Sequence, residues 1–237
     1  MSKLSTIPQS LPQDLFTSSA TQLMELGAYA ETADGRGFRY CLMGGVAGVP
    51  GKLYQAAAED TTNLENIQAA VSAINQTKVT TTGTGTITAN QLSGATMVVT
   101  KGTGAGYTYR VKSNPAATGA AYTVYLEDPL IVALDTTSYL DFVINPYSAI
   151  IVNPTTASSS PVGACVYALP LSTYGWIQTH GPVALLADGT VTVGTELCAS
   201  NGTVGAVEPL AGVQTAIGYA MTGITSTEYG NVFLTID

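Results

Sequence analysis

Charge is what this 237-residue chain has least of: Asp, Glu, Lys and Arg together make up 10% of it, against about 25% in an ordinary soluble domain. Cations are scarcest, with five Lys and three Arg against sixteen acids, and the formal net charge is −8. Nucleic-acid binding rests on Lys and Arg neutralising phosphates, so eight scattered cations exclude DNA and RNA as partners. The same acidity argues against docking to an anionic membrane surface. No apolar run approaches the ~18–20 residues of a membrane helix; the stretches 143–152 and 162–171 are broken by Pro, Asn or Ser. The N-terminus MSKLSTIPQSLPQDLF has two prolines and no apolar core, unlike a secretory signal. Cys41, Cys165 and Cys198 lie far apart with no CxxC or Cys/His spacing, and read as small buried hydrophobes in a chain folded in a reducing cytoplasm.

Chemistry-bearing motifs are equally sparse. The one histidine, His180, precedes Gly181-Pro182 at a strand end, and a Ser–His–Asp or Cys–His arrangement would have to use it. A structural or exposed histidine is the reading preferred. No GxSxG elbow, HExxH or EF-hand pattern is present, so no catalytic residue, metal ligand or cofactor is assigned. The acid pairs Glu59-Asp60 and Glu127-Asp128 could in principle bind Ca²⁺ or act as acid and base, but each also suits an element terminus. Gly83-Thr-Gly85 and Gly102-Thr-Gly104-Ala-Gly106 fit no phosphate-loop spacing and read as turns.

Thr (34 residues), Gly (25) and Tyr (13) take the place of charge. Short Thr-, Val- and Tyr-rich runs recur every 8–12 residues between Gly, Asn and Pro turns, the pattern of a sandwich or barrel. Strand candidates include 38–43, 52–55, 97–99, 107–111, 121–126 and 139–144. Towards the C-terminus 162–169, 174–179, 183–186, 190–193, 216–221 and 232–236 continue the series. One helix is expected at about 60–76: Thr62 and Glu65 have capping-box spacing, and Leu64, Ile67, Val71 and Ile74 fall on one face of a 3.6-residue period. Residues 1–35 read either as an extended arm, with apolar Leu4, Ile7, Leu11, Leu15 and Phe16 placed to lie on a neighbour and room for a short helix over 14–26, or as a partly disordered tail. Trp176 is a core-strand Trp or, alternatively, an aromatic available to a partner or sugar.

Several segments taken together resemble one family. DGRGFRYCLMGGVAGVPGKLYQ (34–55), TYGWIQTHGPVALLADGTVTVGTELCASNGTVGAV (173–207) and AIGYAMTGITSTEYGNVFLTI (216–236) are similar to tailed-phage head decoration (capsid cement) and related minor capsid proteins. About half the chain is covered, and the aromatic-Gly-Trp-hydrophobic-Gln string before Gly-Pro is its most specific element. Shorter relatives pass almost directly from the GKLYQ-type strand to the VGACVYALPLSTYGWIQTHG-type segment. The resemblance therefore implies a mainly β protein. It would have an arm (1–35), a discontinuous β-barrel- or β-tulip-like domain (36–59 and 150–237), and an inserted β-sandwich-like domain (60–149) carrying the helix. It also implies a structural, non-enzymatic protein on the capsid exterior, made in the host cytoplasm. Its partners would be the major capsid protein and itself, as a homotrimer. Arm residues Leu4, Ile7, Leu11, Leu15 and Phe16, with Trp176, are the expected contacts. A tail or fibre component and a surface-exposed carbohydrate-binding module are the alternatives.

Overall fold

The computed structural model describes residues 12–212 and 214–237, and among them every regular element is a strand. The first three are β1 (Tyr29–Glu31), β2 (Gly37–Leu42) and β3 (Leu53–Gln55). Six follow: β4 (Ile67–Gln68), β5 (Lys78–Ile87), β6 (Thr96–Lys101), β7 (Thr108–Ser113), β8 (Ala117–Leu126) and β9 (Tyr139–Val143). The last seven are β10 (Ile151–Val152), β11 (Pro161–Ala164), β12 (Tyr174–Leu186), β13 (Glu196–Ala199), β14 (Val207–Pro209), β15 (Gly218–Ala220) and β16 (Tyr229–Thr235). The chain forms two compact units, Met1–Ala58 with Pro146–Asp237, and Glu59–Asn145. These divisions fall close to the insertion bounds expected at 60 and 149.

The discontinuous unit is one ten-stranded sheet in the order β10-β3-β11-β12-β16-β15-β13-β14, with β2 also pairing β12 and β1 pairing β2. It curls: Ala187, just past β12, makes a parallel bridge to Val207 of β14, and Leu53 donates to the carbonyl of Gly205 at 2.8 Å. Alternation fills the interior, as β16 shows with Val232 and Leu234 fully buried between outward neighbours. Leu53, Leu185, Leu197 and Val207 complete the same core. The strand expected at 190–193 proves to be a single isolated bridge at Val191.

Residues 59–145 form a single six-stranded antiparallel sheet, order β4-β9-β6-β7-β8-β5. Its edges approach where Ala69, beyond β4, bridges Thr81 of β5. One cluster that includes Val79, Met97, Val111, Val124, Leu140 and Phe142 fills the inside. The expected β-sandwich-like insert is thus a barrel-like curl of one sheet. The Thr/Gly tract supplies β5 itself, so Gly83 and Gly85 lie within a strand and not in a turn. Register shifts occur beside both, and a Cβ on Gly85 would sit 2.9 Å from the Tyr122 ring. Gly102, Gly104 and Gly106 do form a turn, between β6 and β7, all at positive φ.

The expected helix at 60–76 is absent, and the physical reason is local. Asp60 accepts hydrogen bonds from the backbone and side-chain nitrogens of Asn63, so a turn forms where the helix would start. Asn66 (φ 53°) and Asn75 (φ 67°) adopt left-handed backbone, which a helix cannot propagate through. Residues 67–69 enter the sheet instead. Leu64 and Ile67 are buried, but Val71 and Ile74 are 76% and 52% exposed. The four apolar positions share a helical period without sharing a face. Ile67→Ala is therefore expected to cost ~2–5 kcal/mol of stability. Val71→Ser and Ile74→Ser should each change it by less than about 0.5 kcal/mol. Chemical denaturation of the three variants checks this, since a helix would put comparable losses on all of them.

Candidate functional site

Two features of the discontinuous unit bring polar and aromatic side chains together. The first is an aromatic floor beneath residues 12–26. Tyr40 of β2 lies opposite Trp176 of β12 in register, and their rings meet edge-on at 5.2 Å; Tyr174 stacks on Tyr40 at 6.1 Å. Across this floor the N-terminal segment makes just one bridge, Ser19 to Tyr174. Leu15, Met24 and Leu26 pack against the aromatic cluster, and buried Gln13 supplies most of the side-chain hydrogen bonds. Its Oε1 accepts from the Tyr40 hydroxyl (2.8 Å), its Nε2 donates to the carbonyls of Tyr174 (3.0 Å) and Thr17 (2.9 Å), and its own carbonyl accepts from Trp176 Nε1 (3.2 Å). The Tyr40 hydroxyl also accepts from the Leu23 amide. No helix forms over 14–26; turns and extended backbone take its place.

The expected contact residues separate on this floor. Leu4, Ile7 and Leu11 lie outside the described residues. Leu15 is half-buried against the aromatic cluster, whereas Phe16 and Leu23 are 45% and 46% exposed. Trp176 is fully buried, so its indole is a support for the segment and offers no surface to a partner in this conformation. Gln13, which ties the segment down, is the residue that sequence reasoning passed over: a polar residue directly after Pro12 and before Asp14 gave no sign of burial.

The second feature is an open cleft of about 570 Å³ lined by Tyr29, Glu31, Gly35, Arg39, His180 and Asp237. Arg39 Nε and Nη2 donate to the Asp237 carboxylate at 2.8 and 3.3 Å, Nη1 donates to the Gly27 carbonyl, and the guanidinium lies 4.9 Å from the centroid of the Tyr29 ring. Gly37 makes this packing possible, because a Cβ there would lie 2.7 Å from the Tyr29 hydroxyl. Partial burial pushes the Asp237 carboxyl up, but the hydrogen bond and charge of Arg39 outweigh it and hold the group below the ordinary aspartate value. Partial burial, then the neighbouring Glu31 carboxylate, pushes the Tyr29 phenol up. His180 Nδ1 lies 3.3 Å from the Asp237 carbonyl oxygen and its ring meets Phe233 edge-on at 5.2 Å; Phe233 in turn stacks on Tyr219 at 5.3 Å.

The remaining sequence candidates stay apart. Arg110 pairs with Glu127 at 3.0 Å, and Asp60 is engaged by Asn63. Glu65, half-buried, is pushed up by a hydrogen bond with Glu59 and by like charge. Among the described residues no group of three or more His, Cys, Asp or Glu side chains is placed to hold a metal ion, and no helix is long and apolar enough to cross a membrane. All three cysteines are buried free thiols. Burial pushes Cys41 far up and Cys165 up to about 11, which leaves little thiolate to react.

Removing the Gln13 amide leaves the buried Tyr40 O–H without its acceptor, though the hydroxyl still accepts from the Leu23 amide, a change expected to cost ~1–3 kcal/mol. In Gln13→Ala, the amides of Thr17 and Ser19 should exchange faster and the emission of Trp176, the single tryptophan, should shift red; hydrogen exchange and fluorescence read both. The Arg39–Asp237 pair gives a pH signature. A depressed folded-state pKa stabilises above the unfolded value of about 3.9 and is lost as pH falls through the folded value. Asp237→Asn should therefore melt below the parent at neutral pH, with the gap closing in acid, as thermal unfolding at a series of pH values would show. Compared with known proteins, the chain matches no family model, no curated protein and no solved structure.

Proposed function

We propose that this chain is a structural virion protein that binds the outside of a bacteriophage capsid and stabilises contacts between capsomers, acting without catalysis. The observation that carries the reading is the mode of attachment of residues 12–26. One bridge, a few side-chain hydrogen bonds and the packing of half-buried Leu15, Met24 and Leu26 hold the segment, so it can be lifted from its floor without tearing a strand from the sheet. A segment of that kind exchanges its own floor for a neighbour's at low cost, because the bonds broken and remade are of the same type.

The outward Phe16 and Leu23 supply apolar area for that neighbour. A charge-poor surface supports the same reading, since few charges need desolvation when it is covered. The sequence resemblance to decoration proteins points the same way. The partners under this reading are the major capsid protein and further copies of the chain as a trimer.

Co-sedimentation of the purified protein with expanded, undecorated capsids of the source phage tests the proposal. Expected are saturation at a fixed symmetric copy number, a shell more resistant to heat, and loss of binding in a Phe16→Ser, Leu23→Ser double variant that remains folded. Absence of binding to any capsid overturns the proposal in favour of a tail or fibre role. Full binding by the double variant removes the segment from it.

A further inference from the structure

We infer that the cleft between Tyr29, Glu31, Arg39, His180 and Asp237, together with the Phe233–Tyr219 ring stack beside it, is a binding site for a neutral sugar residue. The inference is independent of where the protein sits on a particle. The cleft volume of about 570 Å³ falls in the range of small-molecule sites, roughly 300–1,000 Å³. Its chemistry then narrows the ligand.

The chain carries three Arg and one His; Arg36, Arg39 and His180 all lie at or beside this cleft, and Arg36 approaches the position of Gly181. None of this makes the cleft cationic. Arg36 is paired with Asp34 at 3.0 Å and Arg39 with Asp237 at 2.8 Å, and Glu31 adds a further carboxylate. An anionic ligand meets this excess of carboxylate on a chain of net charge −8. A cationic ligand finds the Tyr29 face already taken by Arg39.

Besides Tyr29 and His180, which can each donate and accept, the cleft offers a donor-only group, Arg39, next to acceptor-only carboxylates. A guanidinium has five N–H groups; Nε, Nη1 and Nη2 of Arg39 each use one within the protein, which leaves two to donate. Glu31 and Asp237 only accept. A pair of adjacent hydroxyls, each able to donate and accept, fits such a row. The Tyr219 ring is 42% exposed and stacks at 9° on Phe233, which in turn meets the cleft's His180 edge-on, so apolar ring surface lies next to the polar row. A pyranose presents this combination, with hydroxyls around its rim and an apolar C–H face.

An array of neutral and acidic oligosaccharides, probed with the labelled full-length chain, tests the inference. A neutral glycan should be bound, with little sensitivity to salt. Glu31→Gln and Tyr219→Ala, both at exposed positions, should each weaken binding about tenfold, and Val71→Ser on the other unit should leave it unchanged. Binding to none of the neutral glycans overturns the inference, as does binding that survives both cleft substitutions. Selective, salt-sensitive binding of acidic glycans overturns it too. None of these results bears on capsid binding, which the sedimentation assay reads separately.

Discussion

The discontinuous unit depends on one side-chain amide. Gln178 sits in the middle of β12, and its Nε2 donates at 2.9 Å to the carbonyls of both His180 and Pro182. At that point the strand carries Gly181 at φ 86° and Pro182, which has no N–H to give. The register against β2 slips between Gln178 and His180. A strand with such a defect would ordinarily end there. The buried amide instead braces two carbonyls across the bulge, and β12 passes through it unbroken, 13 residues from end to end. Its first half pairs with β2 and β11, its second with β16.

Both candidate sites follow from that long, bulged strand. Before the bulge, Trp176 shares a face with Phe38 and Tyr40 and makes the floor for residues 12–26. Arg39, between Phe38 and Tyr40 in β2, belongs to the opposite face by strand alternation and faces the cleft. The bulge then brings His180 opposite Gly37 and beside Asp237. Re-aiming a side chain is a common use of a bulge next to a functional site. One strand pair therefore carries an apolar docking floor on one side and a hydrogen-bonding cleft on the other.

The same strand marks how far the sequence could be read. Alternation in Tyr174–Thr179 and Val183–Leu186 identifies both halves, but His-Gly-Pro between them reads as a break, because nothing local announces that Gln178 will brace it. The strands β6, β8, β9 and β16 were legible for the same reason, being β-branched or aromatic runs with one buried face; β2 was legible from its aromatic run, although both its faces are buried. Strands β1, β4, β13 and β14, of four residues or fewer, carry too few positions to establish a period, whereas the equally short β3, β11 and β15 overlap the apolar or aromatic runs 52–55, 162–169 and 216–221. The helix expected at 60–76 shows the converse, a 3.6-residue spacing produced by chance and vetoed by Asx turns and left-handed Asn. Burial of the three cysteines was foreseeable from the lack of any metal or redox spacing. The cleft was not, because Tyr29, Arg39, His180 and Asp237 come from four separate stretches whose adjacency exists only in the sheet.

Gly27 sets the limit between the two faces. Its N–H donates to the Tyr40 carbonyl at 2.8 Å and its carbonyl accepts from Arg39 Nη1 at 2.9 Å, so both backbone groups are committed to β2. It adopts φ 85°, a conformation glycine takes without strain. Upstream of this point the segment is held by Ser19, Gln13 and the Leu23 amide; downstream, β1 is locked in register with β2. A segment peeled from the floor would thus be stopped at Gly27, before Tyr29 and Glu31 lose their places in the cleft. The carbonyl that ends the detachable segment is also the one that orients Arg39. The proposed docking by the N-terminal segment and the proposed ligand binding in the cleft are consequently separable, although they share the same two strands.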